Sequence, residues 1–261
     1  AQLVGAGCQV LPLPCPGVGF RVLRIRSLTV GQAEAVFLAG WRGLPRPLVD
    51  LSGLGRFDAY GVALLALLAW EAWARGGFLR VLLPEREEVA RRLGATGLFE
   101  LFPGGLGWVD RPVPRGGDAG LFQIIQVDRE ERIGPLVEVL GETLWARFPL
   151  GERTIRVLVG AVLELLQNIP HHASAGREGV EPVGFAALEE EEDHLHLAVV
   201  DGGVGLRGSL ALSHSLQEGK RPRGPSAQSS REYLVLGKHA GCLKAAQARN
   251  ALKLTGVFHG S

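Results

Sequence analysis

The stretch from Gly61 to Arg75 is apolar almost all the way round, and it constrains the fold more than any other part of the chain. A helix with no polar face cannot lie on a surface, so it must be covered on every side. Glu71 breaks it too early for a bilayer span. It therefore belongs inside a layered soluble fold, and its flanks say which kind. Before it come Phe20–Ile25 and Pro47–Leu51, two short runs of strand character, with helical spacing over Val30–Trp41 between them. After it, Gly76-Gly77 stops the helix, Phe78–Leu83 is strand-like and ends at Pro84, and Glu85–Leu93 is a charged helix followed by Gly97–Phe102. Strands alternating with helices predict an α/β layer arrangement.

A stretch rich in glycine and proline, PGGLGWVDRPVPRGGDAG at 103–120, separates this unit from a second one. The second unit opens with a strand-like run, Leu121–Val127, then helical segments at 130–147 and 152–169. Two more strand candidates follow, Val183–Leu188 and His194–Val200, joined by five consecutive acids, Glu189 to Asp193. Five like charges repel when packed together, so they are expected on an exposed hairpin tip. The domain plan is a lead-in at 1–17, an α/β domain at 18–104, a linker at 105–120 and a second domain at 121–261.

Composition narrows the function classes. A formal net charge of +1 gives no electrostatic case for nucleic acid or an anionic membrane as partner. Three scattered cysteines (Cys8, Cys15 and Cys242) make neither a disulfide framework nor a zinc module and favour a reducing, cytoplasmic setting. No basic segment precedes an apolar core at the start, so no signal peptide is expected.

The helix at 152–169 carries the chemistry. Ile155, Leu158, Val159, Val162, Leu165 and Leu166 make one apolar face. Glu164 and Asn168, four apart, stack on the side nearly opposite. The segment Asp201-Gly202-Gly203-Val204-Gly205 follows the last strand. An aspartate there can accept a hydrogen bond from an exocyclic amine, and glycines behind it let backbone approach a ring and phosphates.

In this order, Glu164-x-x-x-Asn168 followed by Asp201-x-Gly203-x-Gly205, the chain resembles the histidine-kinase-like (GHKL) ATPase family. The resemblance implies a Bergerat-type α/β sandwich, a mixed sheet backed by helices, that binds ATP with Mg²⁺. It implies that Asn168 holds Mg²⁺ against the phosphates and Asp201 reads the adenine amino group. Glu164 would be the catalytic base, and His172 would reach phosphate as the family's basic position does. Gly203 and Gly205 would line the nucleotide. The family's second glycine-rich segment is expected near 225–240, where the chain has Gly224, Gly237 and Gly241 without a cluster. From about Lys220 the sequence turns basic and loses the expected strand pattern, so the domain is divergent or incomplete after about 219.

Two other chemistries fit pieces of the pattern. Gly203-x-Gly205-x-x-Gly208 matches a dinucleotide fingerprint, but residues 219–231 supply neither the following strand nor the acid that such a fold requires. His194 and His196 share a strand face and His171 and His172 adjoin, yet no cysteine or carboxylate pattern completes a zinc site.

The first unit resembles a STAS domain, the fold of bacterial anti-anti-sigma factors. The match lies in Val49-Asp50-Leu51-Ser52, Phe57-Asp58-Ala59-Tyr60-Gly61 at a helix start, the Phe78–Leu83 strand and Thr96-Gly97-Leu98. Ala59 stands where regulated members carry a phosphorylated hydroxyl residue, which implies a docking module. Together the two resemblances imply a bacterial signalling regulator whose partner is a protein in a sigma-factor-type switch, a homodimer included. It would be a protein serine/threonine kinase or ATPase, or else a non-catalytic scaffold with a degenerate pocket.

Overall fold

The computed structural model describes residues 8–12, 21–29, 48–74, 76–101, 108–114, 122–148, 150–172, 182–191, 194–202, 231–237, 241–248 and 251–258. The chain divides into two compact units, 1–124 and 125–261, of mixed α/β structure.

In the first unit, β1 (Cys8–Pro12), β2 (Arg21–Ile25), β4 (Leu48–Asp50), β6 (Arg80–Leu82) and β7 (Trp108–Val109) form one sheet in that order. β1 is antiparallel to β2, and the rest run parallel. The lead-in expected over 1–17 thus contributes an edge strand. Pro12, which has no N–H to donate, is tolerated because β1 lies at the sheet's edge. The linker expected over 105–120 holds β7, and the Pro114 carbonyl lies 2.5 Å from where a Cβ on Gly94 would be.

The apolar stretch is helix α1 (Ala59–Ala74), and every residue from Ala59 to Ala72 is buried. Its start is fixed three times over. The small parallel pair β3 (Ser27–Leu28) and β5 (Arg56–Phe57) leads into it. The Asp58 N–H donates to the Leu28 carbonyl at 3.2 Å. The Asp58 carboxylate then caps the helix, accepting the Gly61 N–H at 2.8 Å. At the other end, Gly77 N–H donates to Ala72 O and Gly76 N–H to Trp73 O, with Gly76 at φ 71°. This is a glycine-closed helix end, needing the left-handed conformation that other residues resist. Helix α2 (Glu87–Gly94) buries Val89, Ala90 and Leu93 and turns its charged residues outward. Val30–Trp41, expected to be helical, lies outside the described residues.

The second unit is a six-stranded sheet in the order β12 (Gly241–Ala248), β13 (Ala251–Phe258), β11 (Arg231–Gly237), β10 (His194–Asp201), β9 (Gly184–Glu191), β8 (Phe122–Val127). β9, β10 and β11 are successively antiparallel, β11 and β13 are parallel, and β12 is antiparallel to β13. Here the expectation that strand pattern is lost after about Lys220 is wrong. Leu252 and Leu254 alternate with Lys253 and Thr255, a strand period that the basic residues obscure.

Two helices, α3 (Ile133–Arg147) and α4 (Glu152–His172), form a hairpin. It is pinned where Val159 sits 3.8 Å from a Cβ position on Gly141, and by His171 Nε2 at 3.2 Å from Glu130 of the turn preceding α3. The acidic run is a second correction. β9 extends to Glu191, Glu189 is only 1% exposed, and Glu190 pairs with Arg147. Successive side chains of a strand point to opposite faces, so these acids need not be packed together.

Candidate functional site

Helix α4 buries Ile155, Leu158, Val162, Leu166 and Ile169, a stripe one turn longer than the apolar spacing alone indicates. With that stripe facing the sheet, Glu164 projects about 160° away and Asn168 about 120° away at 3.6 residues per turn. Both are exposed. Asn168 emerges on the flank opposite Val159, the residue that packs on α3. Pro170 lies within the last turn and has no N–H, so the Leu166 carbonyl has no helical donor there.

Asp201 is the last residue of β10 and is half-buried. Its direction follows from register. Leu195, Leu197, Val199 and Asp201 share one face of the sheet, with Glu190, Leu188, Ala186 and Gly184 opposite them on β9. Two contacts identify that face as the helix-covered one. Arg147, the last residue of α3, pairs with Glu190. At the other end, a Cβ on Gly184 would lie 2.7 Å from Ile169 Cδ1, so α4 rests directly on that glycine. Asp201 is the cross-strand partner of Gly184. Its carboxylate therefore leaves the sheet on the helix side, beside the turn of α4 that carries Asn168. Gly202 N–H then donates to Val183 O at 3.1 Å, holding the chain as it leaves the strand.

The two polar groups thus come to the same end of the same layer. Glu164 shares Asn168's outward aspect but lies one turn back along α4, roughly 6 Å further from the strand end at 1.5 Å per residue. His172 closes α4. Gly203 and Gly205 lie outside the described residues, as do 206–230, where a cover for the phosphates is expected. The described residues beyond that, in 231–258, are all strand.

The donor set bears on the implied metal. Among the described residues no group of three His, Cys, Asp or Glu side chains could hold a metal ion. A protein cage is not what Mg²⁺ demands, since it keeps several waters and takes its remaining oxygens from phosphates and one or two side chains. Asn168 presents its amide to solvent, so its oxygen would be the one side-chain ligand such an ion could take here.

The opposite face of the β9–β10 pair carries Phe185, Ala187, Glu189, Ala198 and Val200, all buried at 0–1% exposure. His196 is registered across from Glu189 on that face. It therefore lies on the face away from α4 and is half-buried there. Spacing alone missed Gly184, whose one sequence signal is a glycine at the first position of a strand.

Among the described residues, no helix is long and apolar enough to cross a membrane. No protein-family model, no curated protein and no solved structure matches the chain.

Proposed function

We propose that the second unit binds ATP with Mg²⁺ in the manner of the histidine-kinase-like ATPases and that the chain is a signalling regulator. The observation that supports this reading is the seat of α4 on Gly184: Ile169, the residue after Asn168, rests on the cross-strand partner of Asp201. An amide that can ligate a phosphate-bound cation and a carboxylate that can accept an adenine amino proton are a suitable pair for one nucleotide. In the proposed site Asn168 offers its oxygen to Mg²⁺, which neutralises phosphate charge. Asp201 accepts from the base, and Gly203 and Gly205 admit the nucleotide to the backbone. His172 supplies a further phosphate contact. Glu164 is the residue placed to take a proton from an attacking hydroxyl or water, for transfer to a protein serine or threonine or for hydrolysis.

The first unit fits a STAS-like docking role. Its parallel strands and buried α1 form a rigid support, and Ala59 and Tyr60, following the Asp58 cap, are both 0% exposed. A protein partner of a sigma-factor-type switch, or a second copy of the chain, would then dock without phosphorylation at that position.

One observation favours the competing reading of a non-catalytic scaffold: residues 231–258 are strands wherever described, leaving no helix there to cover phosphates. Calorimetric titration of Mg-ATP into the full chain separates the two. The nucleotide reading expects saturable, Mg²⁺-dependent binding, weakened at least about tenfold in both Asn168→Ala and Asp201→Asn, as loss of a charge-assisted contact predicts. Absence of binding by the wild type, or wild-type affinity in both variants, supports the scaffold instead.

A further inference from the structure

We infer that Gly184 is a positioning residue for the nucleotide site, setting the distance between its phosphate end and its base end; the inference rests on the ATP-binding reading above. Gly184 touches neither group. Its role comes from what occupies the space of its missing side chain. A Cβ there would meet Ile169 Cδ1 at 2.7 Å and Cγ1 at 3.0 Å on one side, and the Val200 carbonyl oxygen at 2.7 Å on the other. The first two atoms belong to the residue after Asn168, and the third to the residue before Asp201.

Any side chain at 184 must therefore displace the Ile169 side chain by which α4 is seated, the end of β10, or both. Real Cβ atoms do not tolerate such separations: Ile169 Cδ1 ends a side chain, but one that is 1% exposed with Cγ1 close behind it, and Val200 O is backbone of a buried, paired strand. The two elements converge on one glycine, and each carries one half of the proposed site on the adjacent residue. Of the three glycines in α3 and α4, a Cβ on Gly134 or Gly160 would meet nothing within 4 Å and one on Gly141 would make an ordinary contact with Val159 at 3.8 Å. Gly61 and Gly94 of the first unit are as closely surrounded, but only Gly184 among these has neighbours adjoining Asn168 and Asp201.

The test compares Gly184→Ala with Gly160→Ala, a substitution within α4 that meets open space. Calorimetry measures Kd and stoichiometry for Mg-ATP, which spans both ends of the site, and for adenosine, which engages the base end alone. Because a displacement of about 1 Å can cost up to a hundredfold where two groups act together, Gly184→Ala is expected to cut the Mg-ATP advantage over adenosine by about tenfold or more. Stoichiometry is expected to stay near that of the wild type, and Gly160→Ala to match the wild type throughout. Ile169→Val is the second variant. It folds with a modest loss because it removes only the methyl group that rests on Gly184, and it is expected to lower the same ratio by about threefold. An unchanged ratio in Gly184→Ala and Ile169→Val overturns the inference, as does a loss confined to stoichiometry at constant Kd, which marks a purely structural role. If the wild type binds no nucleotide, the ATP reading fails by itself. Amide resonances of Asn168 and Asp201 then decide the geometry: movement of both in Gly184→Ala upholds the shared seat, and constancy of either removes it.

Discussion

Helix α1 and helix α4 are both rich in leucine and alanine or valine, but their surroundings differ. In α1 every residue from Ala59 to Ala72 is buried, and its ends are closed by the Asp58 cap and the Gly76–Gly77 turn. In α4 one stripe from Ile155 to Ile169 is buried, while Glu164, Asn168 and Val157 face outward. A helix covered all round stabilises its unit, since each fully buried leucine contributes roughly 2 kcal/mol, but it leaves no side for a ligand. A helix packed on one side forgoes that burial and keeps a face on which polar groups meet solutes. The contrast places structural weight on α1 and leaves α4 with a polar face open to solutes.

Substitution at Gly61 tests that contrast with the largest expected effect. A Cβ there would lie 1.9 Å from the Leu28 carbonyl oxygen and 2.6 Å from its carbon, both backbone atoms. Gly61→Ala is expected to destabilise the first unit by about 3 kcal/mol or more, as overpacking against rigid backbone does, measured by denaturant unfolding. A loss below about 1 kcal/mol, within the range of ordinary surface changes, would mean that α1 is not seated as described.

Next comes the carboxylate buried in the first unit. Asp50 is 3% exposed. Burial alone pushes its carboxyl upward, but the Ser52 hydrogen bonds and the Arg24 guanidinium at 2.8 Å outweigh it and hold the group below the ordinary value of 3.8. A depressed folded-state value means that the stabilisation is fully present above 3.8 and is lost as pH falls through the lower folded value. Asp50→Asn, which abolishes the charge but keeps the shape, is expected to cost about 2 kcal/mol at neutral pH. Stability of the wild type and the variant should converge as the pH is lowered past that range, and a gap that persists in acid contradicts the assignment.

The smallest expected effect belongs to α4's outer face. Glu164→Gln and Asn168→Ala remove exposed groups and should shift unfolding by no more than about 0.5 kcal/mol. If either destabilises by more than about 1.5 kcal/mol, the outward face of α4 is a packing surface and the contrast with α1 collapses.

The same contrast explains what was legible in the sequence. Helix α1 could be read within about two residues at either end because a run between Asp58 and Gly76 that is apolar but for Glu71 and Arg75 leaves few alternatives. The α4 stripe followed from its period, though Ile169 and the continuation past Pro170 to His172 did not, because proline normally marks a boundary. The order of Glu164, Asn168 and Asp201 suggested a shared site, and strand register supplies the reason that Asp201 faces the helix layer. Other features were hidden. Glu189 sits in an acidic run that composition assigns to solvent, yet alternation within β9 sends it inside. β1 lies in a stretch dominated by glycine and proline, and β11 to β13 carry lysines and arginines that mask a period of two. Gly184 was invisible for a deeper reason: close approach of a helix to a strand is a tertiary fact, and one glycine among thirty-seven does not announce it.

The most direct test of the central claim is a nitrogen–proton correlation spectrum of the full chain during titration with Mg-ATP, followed at the Asn168 side-chain amide and the Asp201 backbone amide. One nucleotide gripped by both predicts that the two signals move together along a single saturation curve, and that the Asn168 shift is lost when Mg²⁺ is left out of the solution. Signals that stay still, or that titrate with unrelated affinities, contradict it.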